Sequence, residues 1–101
     1  MTLDTIAEVG IDSQTQLYLR PTSERFPYIY REAVDVHWNP KLLHLHSLQP
    51  REWTYLQWFQ HIIGAAALQA VDLRLTDSTV WTNIPDSLRA EMQAWFDTKH
   101  P

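Results

Sequence analysis

The stretch VDVHWNPKLLHLHS, residues 34–47, decides the reading of the fold. Side chains alternate along a strand, and residues opposite each other on an antiparallel pair share a face. If the chain reverses at Pro40-Lys41 with an even-length turn, His37 pairs with His44 and Asp35 with His46. Val34, Val36, Trp38, Leu43 and Leu45 then lie together on the other side. A slip of one residue puts Trp38 beside His44 and mixes the two faces, so the hydrophobic pattern itself favours the even register. The result is a hairpin with three imidazoles and a carboxylate on one surface and an apolar face that needs a cover.

Upstream, an apolar stretch through Val9 and Ile11, a polar turn at Asp12 to Thr15 and the run Leu17-Tyr18-Leu19 predict a first hairpin, ended by Pro21. Thr22 to Arg25 reads as loop. A further extended stretch from Phe26 carries Ile29 and sets Tyr28 and Tyr30 on one strand face. Downstream, the period becomes helical from Pro50 to about Gln69, with Pro50 in the first turn and Glu52 against the positive end of the dipole. Tyr55, Leu56, Phe59, Ile62, Ile63, Ala66 and Ala67 form its apolar stripe. Val71 to Leu75 reads as a strand, Thr76 to Ser78 as a turn and Val80-Trp81 as renewed extended chain. A last helix starts near Pro85, with Leu88, Met92, Trp95 and Phe96 at helical spacing. These elements predict an α+β fold: an antiparallel or mixed sheet built from two N-terminal hairpins plus a later strand, with two helices packed on one face. A chain of 101 residues suits one domain, 1–101.

Twelve acidic against eight basic residues leave a net charge of -4, and no lysine or arginine cluster follows a phosphate backbone, so nucleic acid is not the expected partner. With no cysteine, any metal rests on histidine and carboxylate. Asp4 and Glu8 stand where a secretory signal needs positive charge and an apolar run, and the apolar stretch Ile62 to Leu68 is too short for a bilayer. A cytoplasmic protein with no membrane partner is the expectation.

Two groups of residues are candidates for function. Asp35, His37, His44 and His46 suit a divalent metal such as zinc, a small-molecule ligand, or acid–base hydrolysis with His37 as base and Asp35 orienting it. Ser47 falls on the opposite face, which makes a Ser-His-Asp relay within the hairpin geometrically poor. The second group is aromatic. Trp53 and Trp58 flank the stripe of the long helix and, with Arg51, form a patch of the residue types that dominate protein–protein hot spots; His61 falls on the polar side. With only Gly10 and Gly64, no glycine-rich phosphate loop is available. The composition predicts a non-enzymatic protein-binding module, an antitoxin or immunity-type inhibitor docking an acidic, aromatic surface on a basic partner, or a self-associating dimer. The alternative is a metal- or small-molecule-binding domain using the histidine face, with no other cofactor implied.

Tyr28-Ile-Tyr-Arg-Glu-Ala33, Val36-His-Trp38, Pro50-Arg-Glu-Trp53 with Trp58-Phe59, and Thr79-Val-Trp81 together resemble small bacterial proteins of the kind carried on integron gene cassettes. The resemblance covers most of the chain and carries no catalytic signature. It implies a single-domain bacterial accessory protein, a class in which toxin neutralisers and other binding modules are common.

Overall fold

β1 (Thr2–Ile11) is the longest strand, and every other part of the sheet is organised by it. A computed structural model describes residues 1–33, 35–47 and 53–100. The remaining strands are β2 (Leu17–Pro21), β3 (Val36–Asn39), β4 (His44–Ser47), β5 (Val71–Arg74) and β6 (Val80–Thr82), with helices α1 (Tyr55–Leu68) and α2 (Asp86–Lys99). The sheet is six-stranded and mixed, in the order β3-β4-β2-β1-β5, with β6 also paired to β1. β2 lies antiparallel along one edge of β1. The other edge is shared in parallel by β5 over Thr2 to Thr5 and β6 over Glu8 to Gly10.

This sharing depends on a bulge. Ile6 pairs with Pro21 and Glu8 with Arg20, so Ala7 is an extra residue on β1. An extra residue reverses the alternation. Asp4 and Ile6 face inward before it, and Val9 faces inward after it, which strict period-two alternation forbids. Val9, Leu19, Leu45 and Trp38 form one row across the apolar face. Phe59, Ile62 and Ala66 of α1 and Met92 of α2 are buried with this face, and Phe59 meets Trp95 edge to face at 5.8 Å. Both helices therefore lie on one side, as expected from the sequence.

Local chemistry moves three of the expected boundaries. The tyrosine strand is replaced by a 3-10 turn, Ile29–Arg31, because Phe26 and Ile29, three apart, are both buried while Tyr28 and Tyr30 are exposed. The Arg31 guanidinium stacks on both tyrosine rings, at 4.7 and 5.8 Å. The central hairpin keeps its predicted faces but not its predicted pairs: His37 is opposite His46, and Asn39 is opposite His44. Asn39 is the cause. Its side-chain oxygen accepts from the amides of Lys41 and Leu42, its carbonyl accepts from Leu43 N–H, and Leu43 takes a left-handed φ of 57°, so the loop uses two more residues.

α1 begins later than the expected Pro50, where Thr54 and Gln57 form a reciprocal capping box. Pro50 and Glu52 lie outside the described residues, as does Val34. Trp58 and Ala65 are buried beside the predicted stripe.

The buried Asp4 carboxylate accepts from the backbone amides of Thr5, Ser23 and Glu24 at 2.9, 3.1 and 2.8 Å, which ties the chain after β2 to the sheet. Asp4→Ala leaves three amides without their acceptor in a part-buried site and is expected to cost about 1–3 kcal/mol in urea unfolding. Thr54→Ala removes only the cap of α1 and is expected to cost about 1 kcal/mol.

Candidate functional site

The sheet face opposite the helices follows from the alternation that buries Val9, Leu17, Leu19 and Leu45. Thr82, Gly10, Tyr18, His46 and His37 succeed one another across five strands, with Glu8 and Arg20 paired in the next row. Glu8 is the node. Its Oε2 accepts from the Tyr18 hydroxyl at 2.7 Å and from the Thr82 hydroxyl at 2.6 Å, while its Oε1 accepts from Arg20 Nε and Nη2 at 3.3 and 3.2 Å. Partial burial pushes the Glu8 carboxyl up, but the hydrogen bonds from Thr82, Tyr18 and Arg20 and the guanidinium charge outweigh it, leaving the group below its ordinary value. Burial and the bond to Glu8 raise the Tyr18 phenol.

Gly10 is what lets Tyr18 reach that carboxylate. A Cβ built on Gly10 would lie 2.3 Å from both Cζ and the hydroxyl oxygen of Tyr18, so the ring occupies the space over the glycine. The ring also stacks on His44, with centroids 4.7 Å apart and planes 26° apart.

His44, 8% exposed, meets His46 edge to face at 5.7 Å, and His46 lies 5.4 Å from His37. The Nδ1 atoms of His44 and His46 are buried without a hydrogen-bond partner among the described residues. Desolvation, then the neighbouring imidazole, lowers the pKa of each: His46 acts on His44, and His37 on His46. Both shifts favour the neutral ring.

A groove of about 690 Å³ lies over this face. Its walls come from the β1–β2 turn (Asp12, Gln14, Gln16), the β3–β4 turn (Asn39, Leu42) and Asn83 beyond β6. Asp12 Oδ1 accepts from the amides of Gln14 and Gln16, which fixes one wall. Arg20 offsets Glu8 on the groove's lining, and its guanidinium retains N–H groups beyond those given to Glu8. Such a surface can hold a polar molecule by hydrogen bonds. The Glu8 carboxylate, held low, is too weak a base to ionise Thr82 or Tyr18.

The candidate residues separate in space. His44 and His46 line the groove and His37 stands exposed beside them, but Asp35 sits in the turn before β3 with a left-handed φ of 66°, exposed. Among the described residues, no three His, Asp or Glu side chains converge to hold a metal ion. Ser47 is on the core side, as its parity requires. Arg51 lies outside the described residues. Trp53 and Trp58 touch, with centroids 4.9 Å apart, and His61 is half-buried against both rather than solvated. Glu8, Tyr18, Arg20 and Thr82 were not singled out from the sequence. The signal for the first three lay in the first hairpin, where Glu8, Gly10, Tyr18 and Arg20 interleave with Val9, Ile11, Leu17 and Leu19.

Residues 4–79 match the family described as Integron Cassette Protein Hfx_Cass5, and the chain belongs to that family. A solved structure of an integron cassette protein Hfx_Cass5, from the mobile metagenome of the North West Arm sewage outfall, is 45% identical over 93% of this chain and 95% of that one, with a TM-score of 0.49. No curated protein matches the chain. The resemblance drawn from the sequence is thus borne out. Among the described residues, no helix is long and apolar enough to cross a membrane.

Because the folded state holds His44 and His46 below their ordinary value of 6.5, the unfolded chain binds protons more readily. Stability is expected to be full above pH 6.5, and to fall as the pH drops through the lowered folded values. Thermal melts between pH 8 and 5 check this, and a His44→Phe, His46→Gln variant should show a flatter profile. The two glycines should respond with opposite sign. Gly10→Ala displaces Tyr18 and costs about 1–3 kcal/mol, whereas Gly64→Ala, with nothing within 4 Å of the new methyl, gains about 0.5–1 kcal/mol in α1.

Proposed function

We propose that this chain is a non-enzymatic binding module that takes a small, neutral, hydrogen-bonding molecule on the open face of its sheet. The observation that carries the reading is the groove's hydrogen-bonded floor: Tyr18, Thr82 and Arg20 are locked on Glu8 before any ligand arrives, beside the neutral, buried His44. A preset polar floor lowers the ordering cost of binding. Glu8 and Arg20 offset one another and the lowered imidazoles favour their neutral forms, so Asp12 at the rim is the one formal charge left over among the described lining residues, which favours a neutral polar ligand over an anion. The Asn39, Gln14 and Gln16 amides supply both donors and acceptors at the rim, and Leu42 supplies an apolar edge.

A screen of small polar metabolites by ligand-detected NMR tests this reading. A true ligand is expected to shift the resonances of His44, His46 and Thr82, and to bind about tenfold more weakly to Tyr18→Phe, which loses one hydrogen bond to the floor. Ligands that perturb only α1, or that bind Tyr18→Phe and wild type equally, would contradict it. Zinc included in the same screen addresses the histidine pair directly.

A further inference from the structure

A second groove, of about 640 Å³, runs along α1 on the other side of the molecule. Its lining repeats at helical spacing, Gln57, Gln60 and His61, Gly64, Leu68, and is closed by Trp53 at one end and by Glu32 from the 3-10 turn at the side. The trough is open over Gly64, where a Cβ would meet nothing within 4 Å. Leu68 is 66% exposed and Trp53 42%, so each end of the groove presents an apolar side chain.

The rings at the Trp53 end are organised. Trp53, Trp58 and His61 form a triangle with centroid separations of 4.9, 5.0 and 5.8 Å, with Trp58 buried beneath the exposed Trp53. Glu32 is the one acidic or basic side chain among the groove's described lining residues, apart from His61. Its Oε1 is held by the Gln69 side-chain amide at 2.7 Å, and it forms no ion pair among the described residues. The adjacent cation, Arg31, is turned onto Tyr28 and Tyr30. An aromatic wall, an apolar trough and one positioned carboxylate match a long aliphatic stem that ends in a positive charge.

We propose that this groove is a docking site for a lysine side chain presented by a basic protein partner. The stem runs from the Trp53 end along Gly64 and Leu68, and the ammonium meets the Glu32 carboxylate, which Gln69 holds beside the C-terminal end of α1. Charge complementarity supports this occupant, since the chain carries a net charge of -4 and attracts a basic partner over distance. The site is separate from the sheet face, on different residues and with a different ligand charge, and either can fail without the other.

A short lysine–alanine peptide, titrated into the full chain and followed by the indole N–H resonances, tests the proposal. Shifts at Trp53, His61 and Gly64 are expected, and their affinity should weaken with added salt. Glu32→Gln should weaken binding about tenfold, while Asp77→Asn, which removes the same charge from an exposed turn, should leave it within twofold. Gly64→Leu fills the trough at a position with open space, so the fold is kept and binding is lost. The proposal is overturned if the peptide fails to bind, if Asp77→Asn weakens it as much as Glu32→Gln, or if Gly64→Leu binds normally. A free alkylamine that binds as tightly as the peptide also overturns the assignment to a protein partner.

Discussion

The extra residue at Ala7 is the constraint on which both faces of the sheet depend. Before it, β1 turns Asp4 and Ile6 inward beside β5; after it, the same strand turns Val9 inward and Glu8 outward beside β6. Without the reversal, one half of β1 would carry its apolar side chains into solvent. The bulge therefore allows one strand to serve two parallel partners on one edge. It also places Glu8 where Tyr18, Arg20 and Thr82 can reach it from both neighbouring strands.

The polar face is held together by one vacancy and the ring that fills it. Gly10 supplies no Cβ, and the Tyr18 ring fills the vacancy; Tyr18 in turn supplies the flat surface on which His44 stacks. His44 is buried beneath this stack, and its Nδ1 has no hydrogen-bond partner among the described residues. Burying an imidazole in this way costs free energy, and the cost is lowest for the neutral ring. Packing over one residue of β1 thus disfavours the charged form of a residue on β4, two strands away.

Most of the architecture was legible from alternation and helical period, because burial of one face is a strong and regular constraint. Val36, Trp38 and Leu45 announced the central hairpin, and Met92 and Phe96 announced the last helix. The exact pairing was not legible, because it depends on the side chain of Asn39 capping its own turn and on Leu43 adopting a left-handed backbone. The tyrosine segment was misread since Tyr28, Ile29 and Tyr30 have strand propensity, yet burial of Phe26 and Ile29 three residues apart wins. Of the candidate site, the histidines were visible and Glu8 was not. The first hairpin held the same alternation, and Tyr18 and Arg20 reach Glu8 within it, but that pairing depends on the bulge at Ala7, and Thr82 joins only when β6 is laid beside β1.

The most direct measurement is the titration of the His44 and His46 side-chain nitrogens by NMR in the intact chain. A built, desolvated face holds both rings neutral, so midpoints below the ordinary 6.5 are expected for each, with the two titrations interacting. Midpoints at or above 6.5 for both rings would show an open, solvated sheet surface and contradict the preset floor on which the ligand reading rests.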